Sequence, residues 1–277
     1  MILKTPQQIF RNGVSPSMIN TWTTCKRKWY NKYIRGWKED DSASLIIGRA
    51  IDQFWNNWHD PKNPIRNLEV LKKNFREIFT KEDEVERPRY TITQKQGEKI
   101  IDMYGEQYPI DTEPFKVHEM QKQITIPVKG LNLKLNTILD GSIEFRGGLW
   151  VFENKTGGVN RQGKFDLDFQ PIVTMKALNE LTGRKVEGVF YNEVYLYKEI
   201  TKKNFHRHEL TKTQDQMEYH FKQFCNIANS MVEYVQLHWE DVEKFPLEES
   251  QMNCLYCPFK DICIFNDNTN LWEGDQK

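Results

Sequence analysis

The sequence has no long hydrophobic run. Nothing in its 277 residues approaches the roughly 20 apolar residues that a membrane helix needs, so no membrane partner is expected. Met1–Gly13 has no signal-peptide apolar stretch either, and the expected setting is a reducing cytoplasm. An excess of one charge is also missing. Lys and Arg number 39, Asp and Glu 39, for a formal net charge of zero. That balance excludes a surface that attracts nucleic acid everywhere, though not a local basic groove. Internal repeats, low-complexity segments and long linkers are absent. Cysteine is sparse, with five residues. In a reducing compartment these read as ligands or core residues rather than disulfides.

What is present is an ordinary globular composition, 28% charged and 38% hydrophobic. Aromatics reach 13%, with eight Trp. Core filling is their plainest use, and base stacking the sharper one. Lys26, Arg27, Lys28, Lys32, Arg35 and Lys38 form a basic stretch interleaved with Trp29, Tyr30, Tyr33 and Trp37. The opposite charge gathers at Glu82, Asp83, Glu84 and Glu86.

Ser15-Pro16 reads as a helix N-cap followed by Pro at the first helical position. Met18, Trp22, Cys25, Trp29 and Tyr33 recur at helical spacing, which places Cys25 on the buried stripe of a first helix. A second helix is predicted over Leu45–Trp58, with Ile47, Ile51, Phe54 and Trp58 on one face. Two more are predicted over Leu68–Phe79 and Gln94–Tyr108. The pattern then changes. Phe115–Val128, Leu131–Phe145 and Leu149–Lys155 read as strands, with turns at Lys129-Gly130 and Arg146-Gly147-Gly148. Asp168–Leu181 returns to helical spacing and stops before Gly183. Val186–Tyr197 and Phe205–Leu210 read as strands. Thr211 with Gln214 is a capping-box pattern for a long helix to about Trp239. This order predicts one α/β domain over residues 1–277, with a mixed sheet flanked by helices. Residues 1–110 are its mainly helical part, 111–211 its core, and 212–277 a C-terminal helix and Cys-rich segment.

Asp140 ends the run Leu135-Asn136-Thr137-Ile138-Leu139-Asp140, and the next strand carries Trp150-Val151-Phe152-Glu153-Asn154-Lys155. Alternation puts Glu153 and Lys155 on one face. A hairpin through Gly147-Gly148 brings Asp140 close to them. Two carboxylates suit a hard cation such as Mg²⁺. Such a cation polarises a phosphate and lowers the pKa of a water, and a lysine beside it positions that water or offsets developing charge. Three surface charges on a hairpin are the plainer reading, since a chain this charged holds several D…ExK matches. Apolar Leu149-Trp150-Val151-Phe152 favours the site, because charges at the end of a buried strand are costly unless they serve a ligand.

Cys254, Cys257 and Cys263 form C-x2-C-x5-C. Three thiolates in so short a segment signal a metal, and Cys25 is the natural fourth ligand. Zinc is the alternative to an iron–sulfur cluster, although zinc sites usually draw on two close pairs. Cys225 reads as a small buried hydrophobe. Either metal would tie the N-terminal helix to the tail and supply folding energy. The tail itself, rich in Asn, Asp and Glu, is expected to dock weakly without it.

Together these residues resemble a known family. Ser15-Pro16-Ser17-Met18-Ile19-Asn20 with Cys25 and Trp29-Tyr30 is similar to the opening motif of RecB-like nucleases, and Gly48-Arg49-Ala50-Ile51-Asp52 to their second helix. Asp140 and Glu153-Asn154-Lys155-Thr156-Gly157 resemble the PD-(D/E)XK core, and Gln170 the glutamine of the following helix. The cysteine set is similar to the iron–sulfur branch, which includes AddB-type nuclease domains and the cluster-bearing exonucleases of CRISPR adaptation. The resemblance spans nearly the whole chain.

It implies a restriction-endonuclease-like core whose two chain ends are joined by a [4Fe–4S] cluster on Cys25, Cys254, Cys257 and Cys263. It also implies Mg²⁺- or Mn²⁺-dependent hydrolysis of DNA, as single strands or duplex ends, in recombination, repair or phage and CRISPR DNA processing. A helicase, recombinase or integrase-type partner and a bacterial, archaeal or phage-infected cell go with it. Asp140 and Glu153 would bind metal with the Asn154 backbone carbonyl, Lys155 would assist the water, and Gln170 would orient the lysine or a phosphate. Two positions depart from the pattern. Asp52 stands where the family carries a histidine ligand, and is expected to face the same cation. Thr174 stands where a tyrosine is usual. A non-catalytic DNA-binding or assembly subunit is the competing expectation. Lys26, Arg27, Lys28 and Arg35 are expected to meet phosphates, and Tyr30 or Trp37 to stack on a base.

Overall fold

Short-range signals set most element boundaries, and tertiary contacts move the rest. The computed structural model describes residues 3–38, 42–63, 66–86, 91–157, 169–248, 251–255, 257–265 and 272–273. Ser15 Oγ accepts from the Met18 amide at 3.3 Å and opens helix α1, Pro16–Thr24. That helix stops where the aromatic spacing predicts continuation. Cys25 is extended (φ −165°, ψ 119°), and its Sγ accepts from the Lys28 amide at 3.4 Å to start a new turn, Lys26–Trp29. A π-helical turn, Tyr30–Ile34, follows. The stripe survives the break because both pieces pack on one aromatic cluster. Trp22 meets Trp29 edge-on at 5.5 Å, and Trp29 stacks on Phe245 at 6.3 Å.

Helices α2 (Ala43–His59), α3 (Leu68–Ile78) and α4 (Gln94–Gln107) fall where their apolar periodicity predicts. Ile51, Phe54, Trp55, Phe75, Ile101 and Tyr104 join their faces in one core. Burying each such side chain contributes about 1.5–3 kcal/mol.

The main sheet runs in the order β1 (Phe115–Ile126), β2 (Leu135–Phe145), β3 (Gly148–Gly157), β4 (Val186–Tyr195), β5 (Phe205–Thr211). Strand β2 begins later than the predicted Leu131. The Asn132 amide is taken by Asn229 Oδ1 at 2.9 Å, and ladder pairing starts with Leu135 bridged to Val14. The antiparallel β2–β3 hairpin closes Phe145 on Gly148. Its two turn residues, Arg146 (φ 50°) and Gly147 (φ 77°), both take the left-handed conformation that matches strand twist.

Strands β3 and β4 are parallel, with Glu153 opposite Tyr191, Asn154 opposite Asn192 and Lys155 opposite Glu193. Helix α5 (Phe169–Thr182) lies between them in sequence and ends at Gly183, φ 66°. The predicted start of α5 at Asp168 lies outside the described residues. Strand β5 is antiparallel to β4. Thr211 ends β5 and helix α6 runs from Gln214 to His238, so Thr211 does not stand at the helix N-cap where the capping-box pattern predicts it. Two short helices follow, α7 (Gln251–Leu255) and α8 (Lys260–Phe265).

The fold is thus α/β, with a mixed five-stranded sheet and flanking helices. The chain divides into two compact units. One comprises Met1–Asp40, Ile124–Thr137 and Asp215–Lys277; the other comprises Asp41–Gln123 and Ile138–Gln214. Among the described residues no helix is long and apolar enough to cross a membrane.

Candidate functional site

The second unit brings Asp52, Asp140, Glu153, Asn154, Lys155 and Gln170 together. Asp140 lies in β2, where its Oδ2 accepts from the Asn154 backbone N–H at 2.9 Å. The hairpin predicted from Gly147-Gly148 makes this contact. Glu153 is 3% exposed, and its Oε1 pairs with the Lys155 ammonium and accepts from Gln170 Nε2 at 2.6 Å. Its other oxygen, Oε2, is buried with no hydrogen-bond partner among the described residues. Asp52 reaches the group from α2. Its Oδ2 accepts from Asn56 and Gln121, both at 3.1 Å. Gln121 itself stands at φ 48°, a strained conformation for a residue other than glycine.

Three carboxylates against one nearby ammonium leave the cluster short of positive charge. Asp140 is pushed well above the usual aspartate range, first by burial, then by the charges of Glu153 and Asp52; Lys155 and the Asn154 N–H oppose the rise. Asp52 is raised by burial and by Glu153, against amide hydrogen bonding from Asn56 and Asn154 and the charge of Lys155. Such crowding relaxes when a cation enters. All the donor atoms are oxygens, the set that suits Mg²⁺ or Mn²⁺. Among the described residues no three His, Cys, Asp or Glu side chains are already closed around a metal position. Thr174 is fully buried, and its hydroxyl donates back to Gln170 O and Pro171 O at 3.0 Å, so this position offers nothing to a substrate.

Behind Asn154 lies a buried network that the sequence reading missed. Asn192 Nδ2 donates to Asn154 Oδ1 at 3.0 Å. Asn192 Oδ1 accepts from Tyr104 OH at 2.9 Å and from Arg207 Nε at 3.2 Å. Arg207 is clamped by Glu113 at 2.5 and 2.7 Å, and His59 Nε2 lies 2.8 Å from Tyr104 OH. The available signal was Asn192-Glu193 interrupting the apolar run Val186–Tyr195.

The four predicted cysteine ligands share a cavity in the first unit. Thr24, Cys25, Lys28, Leu247, Cys254, Cys257 and Cys263 line a space of about 610 Å³. All five cysteines are free thiols. Cys225, buried on α6, is not among the lining residues. Burial raises the Cys257 and Cys263 thiols, as do neighbouring thiols, while Lys28 favours the Cys257 thiolate and Arg27 that of Cys263. Asn31 Nδ2 points to Cys263 Sγ at 3.8 Å. The space and the soft donor set fit a cluster of thiolate-held iron. The segment after α6 carries apolar anchors that the sequence reading discounted. Phe245 is fully buried among Trp22, Trp29, Tyr30 and Tyr234, and Phe259 is buried too.

Much of the basic segment is engaged within its own unit. Arg27 Nε donates to Phe245 O at 2.7 Å, and Arg35 lies over Trp37 at 4.4 Å and bonds Asn31 Oδ1 at 3.2 Å. Tyr30 is 2% exposed and Trp37 8%, so neither ring presents a face for base stacking. Lys26 lies over Trp22 and Tyr234.

The family described as "PD-(D/E)XK nuclease superfamily" matches residues 13–264. Comparison with curated proteins finds no match. A crystal structure of a provisionally assigned exonuclease from Eubacterium rectale is 16% identical, covers 83% of this chain and 82% of its own, and has a TM-score of 0.54. That likeness shows the fold. The crystal structure of SSO0001 is 12% identical over 90% of this chain and 95% of its own; its TM-score of 0.33 carries no argument.

Proposed function

The chain belongs to the PD-(D/E)XK nuclease superfamily, and from that premise we propose that it is a divalent-metal-dependent DNA nuclease whose four clustered cysteines hold a [4Fe–4S] group. The observation that carries the hydrolytic reading is Glu153. A carboxylate oxygen buried without a hydrogen-bond partner among the described residues, beside two aspartates raised by burial and then by like charge, is costly unless a cation completes it. Asp140, Glu153, Asp52 and the Asn154 backbone carbonyl would hold Mg²⁺ or Mn²⁺, which supplies Lewis-acid polarisation of the phosphoryl group.

The chain's own groups divide the remaining work. Lys155, a quarter exposed and paired with Glu153, holds the attacking water and offsets charge developing on the phosphate. Gln170 fixes the Glu153 carboxylate from α5. Exonuclease action is taken over from the E. rectale protein's assignment, and single strands or duplex ends as its substrate are part of this proposal. Lys26 and Lys28 are the members of the basic segment proposed for phosphate contact. Arg27 and Lys28 also lower the cost of thiolates in the cysteine cavity, which supports the cluster.

The test is cleavage of end-labelled single- and double-stranded DNA by anaerobically purified protein with Mg²⁺, Mn²⁺ or chelator. Asp140→Ala and Lys155→Ala are expected to abolish metal-dependent cleavage while melting cooperatively. Full activity in either variant would sink the assignment. The buried Thr174 favours a second reading, a DNA-binding subunit without activity. Metal-dependent DNA binding with no cleavage by the wild-type chain would select it.

A further inference from the structure

The second unit, which carries the proposed metal-holding carboxylates, also carries lysines that are not spent on its own chain. Lys95 and Lys99 stand four residues apart in the first turns of α4 and so share one face. Together with Lys198 and Glu199, which follow β4, they line a cleft of about 320 Å³. Its two walls are fastened to each other. Gln96 Nε2 donates to the Lys198 carbonyl at 2.8 Å, and Ile200 is buried in the core that α2, α3 and α4 share.

Lys95, Lys99 and Lys198 are exposed, and none has an ion pair among the described residues. Lys72, Lys122 and Lys185 of the same unit do pair with carboxylates. Glu199 is the one carboxylate on the cleft's lining. Lys202 and Lys203, exposed on the turn Lys202–Asn204 that packs against α4, add to the positive field. Like charges gathered in this way repel one another and attract a polyanion. Tyr197, beside Lys198, is 42% exposed, where Tyr30 and Trp37 are buried. An exposed ring next to unpaired ammonium groups suits a single strand, whose bases stack on aromatics.

The cleft also lies at the right end of the sheet. Strands β3 and β4 run parallel with Lys155 opposite Glu193. Lys198 follows Glu193 by five residues, so the two backbones are at most about 18 Å apart. The cleft is thus past the carboxyl ends of the strands that carry the candidate site, where open α/β sheets bind ligands. A strand of duplex DNA places one phosphate in about every 3.4 Å of its axis, so a strand leaving the site reaches the cleft within about five nucleotides.

From this placement we infer that the lysine cleft is a docking site for the phosphate backbone of the DNA strand held at the carboxylates, engaged a few nucleotides from the bond that is cut. The inference rests on the nuclease reading above. Ammonium groups read phosphates and not bases, so the contact is independent of sequence.

The test compares two double variants of the full chain that remove equal charge. Lys99→Gln with Lys198→Gln empties the cleft of two cations. Arg184→Gln with Lys185→Gln removes two exposed cations at the other end of β4. Binding of a fluorescent oligothymidylate is followed by anisotropy across a salt series, in an Asp140→Ala background with Mg²⁺ so that the strand stays whole. Losing two phosphate contacts should make the slope of log affinity against log salt shallower by about 1.4, which between 1 M and 0.1 M salt amounts to about 25-fold in affinity. In the otherwise wild-type chain the cleft pair should raise KM for the same strand and leave kcat within about 2-fold. The control pair should leave slope and KM near the wild-type values. Equal effects of the two pairs overturn the cleft, because total charge then explains them. An unchanged slope in a cooperatively melting cleft pair, with the wild type still cleaving DNA, overturns the cleft and leaves the nuclease reading standing. Neither binding nor cleavage of DNA by the wild type removes both.

Discussion

Replacing Glu153 by Gln keeps the side-chain shape and takes one negative charge from the group formed with Asp52 and Asp140. Two physical pictures give opposite results. If Glu153 and Lys155 form a structural ion pair, losing one partner costs about 3–5 kcal/mol. At roughly 2–4 °C per kcal/mol for a domain of this size, that lowers the melting temperature by about 6–20 °C. The structure argues otherwise. Lys155 is a quarter exposed and still interacts with Asp140 and Asp52, so it is not stranded. Both aspartates lose a repelling neighbour. In chelator, Glu153→Gln is therefore expected to melt at or above the wild-type temperature. With Mn²⁺ at about 100 times its Kd the wild type gains about 2.7 kcal/mol, or roughly 5–11 °C; the variant gains little and does not cleave DNA. Melts in EDTA and in Mn²⁺, beside the cleavage assay, measure all three. A variant that melts well below the wild type in EDTA and still responds to Mn²⁺ would refute the reasoning.

Cys25→Ser, Cys254→Ser, Cys257→Ser and Cys263→Ser should each lower iron content and visible absorption of anaerobically purified protein, whereas Cys225→Ser should leave both unchanged; the reverse result would show the ligand set to be wrong. Phe245→Ala should cost about 3–5 kcal/mol, read as a lower urea midpoint, because it empties the centre of the Trp22–Trp29–Tyr30 cluster; a loss under about 1 kcal/mol would contradict that packing. His59 is fully buried, and burial, then Arg207 and Arg66, hold its pKa well below the ordinary 6.5. A depressed folded pKa gives stability that is complete above the unfolded value and is lost as pH falls below it. The wild type should lose melting temperature from pH 7.5 to 5.5, and His59→Gln should lose less; equal slopes would show that His59 does not carry the acid sensitivity.

The candidate site was legible where its chemistry is local. Asp140, Glu153 and Lys155 sit on consecutive strands joined by a turn whose Gly147 is visible in the sequence, so alternation alone predicts their meeting. Helix α2 was readable from Ile47, Ile51 and Phe54. The break at Cys25 was not, because the aromatic residues on either side keep a helical spacing for a tertiary reason, the shared packing on Phe245. Asn192 escaped for a similar cause. Its place opposite Asn154 depends on the register of two parallel strands separated by a helix, and strands buried on both faces show no alternation from which to read that register. The basic residues misled in another way, since a sequence shows their charge but not that Arg27 and Arg35 are bound within their own unit.

The aromatic cluster has a consequence during synthesis. Arg27 and its acceptor Phe245 are 218 positions apart, so the nascent chain presents Trp22 and Trp29 long before Phe245 exists to cover them. At 5–20 residues per second the wait is roughly 10–40 s. The second unit's helices and most of its sheet emerge within that interval and can fold on time. The first unit cannot, and its early aromatic surface is open to ribosome-associated chaperones or to neighbouring chains. Expression of this protein should therefore respond more to chaperone supply than to slower translation, which only lengthens the exposure.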